Sequence, residues 1–381
     1  MKIGDELELE IGPVAHGGHF VARIEGRVVF VRHAITGERV IAKITEISKS
    51  FARADCVKVI SPSQDRIQAE CAYARPNGCG GCDFQHITPT RQRELKSQII
   101  KEQFKRLANL EVDVPVEEVP PIFGWRTRME FNISKTGKVS MFKSRSNELI
   151  EIESCKLADP KISIESLNSS RLAPGSKIEV VIDGLGNIHS DFSKTDRLPF
   201  FIDNQKFEVS FESFWQSHKS APSLLTKVVT ELSEYRPSDH VIDLYAGIGI
   251  LSSPSLKTIG IGGRLTLIEE SESAISDAIW NYSSSGNVEF RNGKVEKEIQ
   301  KLSSCDLVIL DPPRAGAGAK VLKEIIRLSP RTIVYVACDP AALARDAGFL
   351  TNNSYEMDTV RAFDLFPMTQ HMECVARFIR R

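Results

Sequence analysis

Val241-Ile242-Asp243-Leu244-Tyr245-Ala246-Gly247-Ile248-Gly249-Ile250 is the stretch on which the fold reading turns. An aliphatic run holding an acid and followed by two spaced glycines reads as a buried strand entering a tight loop. It has the outline of a dinucleotide fingerprint, but Ser252 stands where the third glycine belongs. S-adenosylmethionine fits such a loop better than a dinucleotide. It has no pyrophosphate to cradle, and the acid can face its cationic methionine part. A purely structural turn is the competing reading.

Working outward, the next strands end in the same manner. Leu265-Thr266-Leu267-Ile268 leads to Glu269, whose carboxylate can accept from both hydroxyls of a ribose, with Glu270 as its rival. Leu307-Val308-Ile309-Leu310 leads to Asp311-Pro312-Pro313-Arg314, a loop stiffened by two prolines that sets Arg314 toward the crevice. Ile333-Val334-Tyr335-Val336 leads to Ala337-Cys338-Asp339-Pro340. Strands alternating with helices from about residue 216 predict a mostly parallel sheet covered on both faces. Ligands of such sheets bind outside the carboxyl ends of the strands, where Asp243, Glu269, Asp311 and Cys338 all fall. A final strand begins at His371-Met372-Glu373. If it forms an antiparallel hairpin with a strand near 360–366, Glu373 comes close to Cys338, a base beside a nucleophile.

Upstream the pattern changes. In residues 1–62, short alternating runs at 8–12-residue spacing, with turns at Gly17-Gly18 and Glu25-Gly26, predict a small β-barrel. Residues 63–215 read as mainly β after a cysteine-rich loop and one helix. That helix, over about 89–109, starts at Thr88-Pro89, carries the stripe Leu95, Ile99, Ile100, Phe104 and Leu107, and is a candidate to pack on the C-terminal domain. The chain has 381 residues, 41% of them apolar and 26% charged, which excludes wholesale disorder and suits two or three domains. The start Met1-Lys2-Ile3-Gly4 shows no signal-peptide pattern, and no apolar run is long enough for a membrane span, so a cytoplasmic protein with no membrane partner is expected. A monomer is the expected state.

The motifs Asp243-Leu-Tyr-Ala-Gly-Ile-Gly, Asp311-Pro-Pro-Arg-Ala-Gly, Tyr335-Val-Ala-Cys-Asp-Pro-Ala and His371-Met-Glu resemble the RNA uracil-5-methyltransferase family, and the likeness runs over essentially the whole chain. Residues 1–62, with Ala15-His16-Gly17-Gly18, look like its N-terminal TRAM domain, an RNA-binding barrel. The resemblance implies a multi-domain α/β protein: an OB-like TRAM barrel, a central mainly-β iron–sulfur domain over 63–215, and a Rossmann-like S-adenosylmethionine methyltransferase fold over 216–381. It implies Cys338 as nucleophile toward carbon 6 of uracil and Glu373 as the base that removes the carbon 5 proton. Gln216, Tyr245, Ile250, Glu269, Asn292 and Asp311 fall on cofactor positions. Cys71, Cys79, Cys82 and Cys155 resemble the family's 4Fe-4S ligands, and a tetrahedral zinc site is the alternative that four thiolates leave open. Cys56, Cys305 and Cys374 are left as core residues.

The resemblance implies an RNA partner, ribosomal RNA favoured over transfer RNA. Rival readings are methylation of an exocyclic amine beside the Asp-Pro-Pro loop and an iron–sulfur RNA-binding factor without turnover. This chain departs from the family in an x7 spacing between Cys71 and Cys79, in Ala337-Cys338-Asp339 where Ser-Cys-Asn is usual, and in Ser-Pro-Ser after Leu251. A net charge of −1 seems adverse to RNA. The charge is unevenly spread, however. Residues 89–110 hold six Lys/Arg against Glu94 and Glu102, and residues 126–145 hold six against Glu130, so both faces are expected to contact phosphates.

Overall fold

Six strands open the chain: β1 (Glu6–Glu10), β2 (Val14–Ala15), β3 (His19–Ile24), β4 (Arg27–Arg32), β5 (Arg39–Ile47) and β6 (Phe51–Ser61), paired in the order β1-β5-β6-β4-β3-β2. The sheet curls until its ends meet, where Gly12 N–H donates to Val21 O at 2.8 Å and Val21 N–H to Pro13 O at 2.9 Å. This is the nearly closed barrel that the strand spacing predicts. Glu25 and Gly26, at φ 48° and 80°, form the two-residue turn between β3 and β4. The computed structural model describes residues 1–191 and 197–381.

Helix α1 (Pro89–Ala108) follows the cysteine-rich loop and ends at Asn109 in the left-handed conformation, φ 54°. Strand β7 (Val116–Glu118) comes next. An antiparallel sheet then forms from β8 (Arg128–Ile133), β9 (Val139–Phe142), β10 (Leu149–Glu151), β11 (Lys177–Ile182) and β12 (Ile188–Ser190), with helix α2 (Ile164–Asn168) between β10 and β11. Its core holds Met129, Phe131, Ile133, Val139, Ile178 and Val180. A hairpin of β13 (Leu198–Ile202) and β14 (Gln205–Val209) leads to Trp215, whose ring stacks on Phe200 at 4.4 Å.

The remaining elements are α3 (Ala221–Ser233), β15 (His240–Leu244), α4 (Ser255–Ile259), β16 (Arg264–Glu269), α5 (Glu272–Asn281), β17 (Val288–Asn292), α6 (Val295–Glu298), β18 (Leu307–Leu310), α7 (Gly318–Leu328), β19 (Thr332–Ala337), α8 (Pro340–Thr351), β20 (Tyr355–Asp364) and β21 (Glu373–Arg380). Eight strands share one sheet in the order β17-β16-β15-β18-β19-β21-β20-β7. From β17 to β19 the pairing is parallel, and β21 inserts antiparallel between β19 and β20. Side chains alternate across it. Ile242, Leu244, Val308, Leu310, Ile333 and Tyr335 share one core with α1, α7, α8 and barrel residues. Val241, Leu265, Leu267, Ile309, Val334 and Val336 share the other with α3, α5 and the β13–β14 hairpin. The Ser252-Ser253-Pro254 turn delays the first helix after the glycine loop, leaving α4 only five residues.

Strand β7 pairs with β20, and α1 lies over α8 so closely that a Cβ on Gly348 would stand 3.2 Å from Ala108. Both elements therefore pack on the C-terminal sheet although they precede the central one in sequence.

The structure corrects much of the phosphate-contact reading of the basic segments. Lys96 is fully buried and donates to Asp364 Oδ1 at 2.5 Å and to Phe366 O at 3.2 Å. Arg91 pairs with Glu94, Arg93 with Glu118, and Lys105 with Glu111. Arg126 lines an interior cavity among cysteines. Arg128 donates to Glu179, Ser213 O and Phe211 O, fastening the central sheet to the Trp215 loop. Lys96, Arg126 and Arg128 are therefore spent on the fold, while Lys105 and Glu111 form an exposed surface pair that leaves the cation open to solvent.

Candidate active site

Parallel order brings the carboxyl ends of β16, β15, β18 and β19 to one edge of the sheet, and the antiparallel β21 starts there. Ala337 is paired with Cys374, so the next step in register sets Cys338 opposite Glu373. The hairpin expected near 360–366 is β20–β21. Glu373 is only 3% exposed, against the ordinary expectation for an acid that begins a strand. Among the described residues no hydrogen bond holds its carboxyl. Burial and the neighbouring Asp311 push its pKa well up. Burial, then Glu373 and Asp311, push Cys338 up to about 11, and Arg314 acts the other way. Arg314 Nη2 lies 3.4 Å from His371 Nε2, and both line a pocket of about 170 Å³ with Cys338.

The glycine loop is tied down by the other strand ends. Ser252, the residue in place of a third glycine, donates its hydroxyl to Asp243 Oδ2 at 2.6 Å. Burial nevertheless pushes Asp243 up to about 7. Burial likewise raises Asp311. A buried Asp243 and a half-buried Asp311, both with raised pKa, suit a cationic ligand, so the donor chemistry here fits a sulfonium compound with an ammonium group. Glu269 accepts from Gly247 N–H at 2.8 Å and from Ser271 N–H at 2.7 Å, locking the loop after β15 to the end of β16. Tyr245 holds that loop in the left-handed region, φ 59°. Asn292, exposed at the end of the edge strand β17, donates to the Glu269 and Glu270 carbonyls. Ile250 is buried behind the loop beside the Tyr282 core. Gln216 is half-buried next to Trp215, and among the described residues no side-chain hydrogen bond joins it to the glycine loop. Asp243, Asp311, Cys338 and Glu373 thus meet at the edge, with Glu269, Tyr245 and Asn292 along the same rim.

A second cavity gathers the four cysteines. Cys71, Cys79, Cys82 and Cys155 line it together with Arg126 and Leu157. Gln85 Nε2 donates to Cys82 Sγ at 3.1 Å and Gly81 N–H to Cys79 Sγ at 3.4 Å. Burial raises Cys79, Cys82 and Cys155. Among the described residues no three His, Cys, Asp or Glu side chains form a group able to hold a metal ion. The donors instead surround a cavity, with N–H groups directed at two of the sulfurs. Their chemistry fits a thiolate-ligated iron–sulfur group. Cys56, Cys305 and Cys374 are buried, as their reading as core residues expects.

A third cleft, about 690 Å³, separates the barrel from the β9–β10 turn and is lined by Arg32, Arg53, Lys143 and Arg145. Glu46 and Glu148 neutralise part of it, through Arg53 and Lys143. Two residues of the active-site pocket, His16 and Gln370, were given no role there by sequence reasoning. His16, from the turn between β2 and β3, reaches the pocket that holds Cys338. It was visible only within the barrel motif Ala15-His16-Gly17-Gly18, which says nothing about a contact so distant in sequence.

Comparison with known proteins agrees with this geometry. The pattern of the tRNA (Uracil-5-)-methyltransferase family matches residues 281–381, and that of the TRAM domain matches residues 1–57. An uncharacterized RNA methyltransferase of Streptomyces avermitilis is 38% identical, with 98% of each chain covered. One from Streptomyces coelicolor is 37% identical over 98% of this chain and 93% of its own. The solved structure of the Pyrococcus abyssi tRNA (uracil-54, C5)-methyltransferase with S-adenosyl-L-homocysteine has a TM-score of 0.74 and 22% identity, and covers 97% of this chain and 99% of that one. The fold and these relatives define an RNA-methylating enzyme. The chain belongs to the RNA uracil-5-methyltransferase family. None of its described helices is long and apolar enough to cross a membrane.

Proposed function

We propose that this enzyme methylates carbon 5 of a uridine in structured RNA through a covalent adduct on Cys338. The observation that carries the reading is the register that sets Cys338 opposite Glu373 at the buried sheet edge, beside Asp311. Carbon 5 of uracil is a weak nucleophile. Attack of the Cys338 thiolate on carbon 6 turns the ring into an enolate, and carbon 5 then has the electron pair to accept a methyl cation equivalent. S-adenosylmethionine, when bound, supplies that methyl group and leaves as S-adenosylhomocysteine. Glu373 takes the carbon 5 proton, the carbon 6–sulfur bond breaks, and the thiolate is restored. Arg314 is the cation that favours the thiolate against three nearby carboxylates, Glu373, Asp311 and Asp339.

Asp243, Glu269, Tyr245, Asn292 and Asp311 would hold the cofactor along the strand ends, with Ile250 behind it and Gln216 as the outlying member. Cys71, Cys79, Cys82 and Cys155 would hold a 4Fe-4S group, which supplies rigidity to the central sheet. Zinc is the alternative that four thiolates leave open. Large-subunit ribosomal RNA is our preferred target on the barrel and the cysteine site together. The likeness to an archaeal transfer RNA enzyme supports the second reading, and mapping which 5-methyluridine disappears from cells lacking this protein separates the two.

The decisive experiment is covalent trapping. With S-adenosylmethionine and RNA containing 5-fluorouridine, the wild-type protein should form an adduct that survives denaturing gel electrophoresis. Cys338→Ala should form none and should lose methylation. Methylation at the wild-type rate by Cys338→Ala sinks the mechanism.

A further inference from the structure

We propose that His16 of the N-terminal barrel is a positioning residue for the chemistry at Cys338, and that the barrel turn holds the nucleophile loop and the base loop in register. The proposal rests on reading Cys338 as the nucleophile.

His16 Nε2 lies 3.1 Å from Asp339 Oδ2, across 323 residues of sequence. Asp339 directly follows Cys338 and caps helix α8, its Oδ1 accepting from Ala341 and Ala342 N–H, both at 2.9 Å. One carboxyl oxygen thus fastens the Cys338 loop to its own helix and the other fastens it to the barrel. An Asn, usual at this position in the family, would cap the helix equally well but would bring no carboxylate to the imidazole ring of His16.

The same turn touches the other loop. Gly17 and Gly18 sit at φ 95° and 74°, and a Cβ on Gly18 would stand 2.5 Å from Gln370 Cβ. Glycine is required there both by backbone conformation and by close approach. His19 Nδ1 lies 2.8 Å from Gly17 O, which braces the turn. Gln370 N–H donates to Asp83 Oδ2 at 3.2 Å, and its segment runs directly into Glu373. Two glycines therefore let one short turn press on the loops that carry both reacting groups. His16, Arg314, Asp339, Gln370 and His371 wall the 170 Å³ pocket beside Cys338, so the pocket is incomplete without the barrel.

Two rival roles must be told apart from positioning: a simple RNA contact, and a fold contact with no bearing on chemistry. The experiment compares full-length wild type, His16→Ala and His16→Gln, whose amide can still donate to Asp339. Three quantities are read: the rate of adduct formation on 5-fluorouridine RNA at saturating RNA and S-adenosylmethionine, the RNA Kd, and Tm. We expect His16→Ala to slow the saturating rate by about 10- to 100-fold. RNA Kd should stay within about two-fold and Tm within a few degrees, and His16→Gln should recover most of the rate. An unchanged saturating rate in His16→Ala overturns the proposal. So does a loss confined to RNA Kd, or a His16→Gln variant no better than His16→Ala. A wild-type protein that forms no adduct overturns instead the reading of Cys338 on which this one stands.

Discussion

Glu373 is buried, and burial together with the neighbouring Asp311 raises its pKa, a setting in which active-site carboxyls are often found. Glu373→Gln keeps the shape and removes the base. Methyl transfer should still occur, but release from Cys338 should stall, so a covalent RNA–protein complex accumulates with ordinary uridine RNA. Turnover should fall by about 10²- to 10⁴-fold. Normal turnover without a trapped complex would remove Glu373 from the mechanism. Asp243 gives a pH signature. Its pKa rises from 3.8 to about 7 on folding, first through burial. Between those values the folded chain binds more protons than the unfolded one. Its contribution to stability is therefore complete below pH 3.8 and is lost as pH rises through 7. Urea unfolding of ligand-free protein from pH 5 to pH 8 should show this decline, and Asp243→Asn should make it shallower, the raised Asp311 and Glu373 supplying the rest. The placement of Cys338 and Glu373 at one sheet edge was legible from the ends of apolar strands, while their chemical roles were read from the family motifs alone. His16 was not legible, since only tertiary structure carries the barrel turn across 323 residues to Asp339.

Helix α1 shows where element-level reading succeeds and where it stops. Thr88-Pro89 marks its start and Leu95, Ile99, Ile100 and Phe104 its buried face, whereas Leu107, read into the same stripe, is exposed in the last turn. Lys96 lies on that same face, and a charged residue among apolar neighbours reads as solvent-facing until its partner is seen. The partner is Asp364 at the end of β20, so the pair bolts the helix to the sheet. Removing one member should cost more than the pair contributes, because the other charge is left buried. Asp364→Asn should lower unfolding free energy by about 3–5 kcal/mol. A Lys96→Met/Asp364→Leu double variant should recover most of it. Denaturant melts check both, and equal losses in the single and double variants would contradict the account. The parallel core strands were legible for the opposite reason, as Leu307–Leu310 are apolar and buried on both faces.

At the scale of the molecule, the basic side chains are unequally shared among the sheets and α1. The barrel and the β9–β10 turn offer Arg32, Arg53, Lys143 and Arg145 to one cleft, while α1, expected to be basic and exposed, is largely paired. Composition could suggest an RNA face but could not locate it. The cysteine cavity joins the loop after the barrel to the central sheet through Cys155, so whatever it binds fixes the two together. Protein purified without oxygen should contain roughly four irons per chain and lose them in Cys79→Ala, with a lower Tm. Elemental analysis decides the matter, and a single zinc per chain would favour the alternative.

Pairing of β7 with β20 also dictates how the protein is made. The ribosome releases α1 and β7 long before the strand and helix that will cover them. At about 5–20 residues per second, that interval lasts tens of seconds. During it β7 has no strand to pair with and the face of α1 that packs on α8 is uncovered, the kind of surface that a nascent chain must keep from aggregating until α8 and β20 arrive.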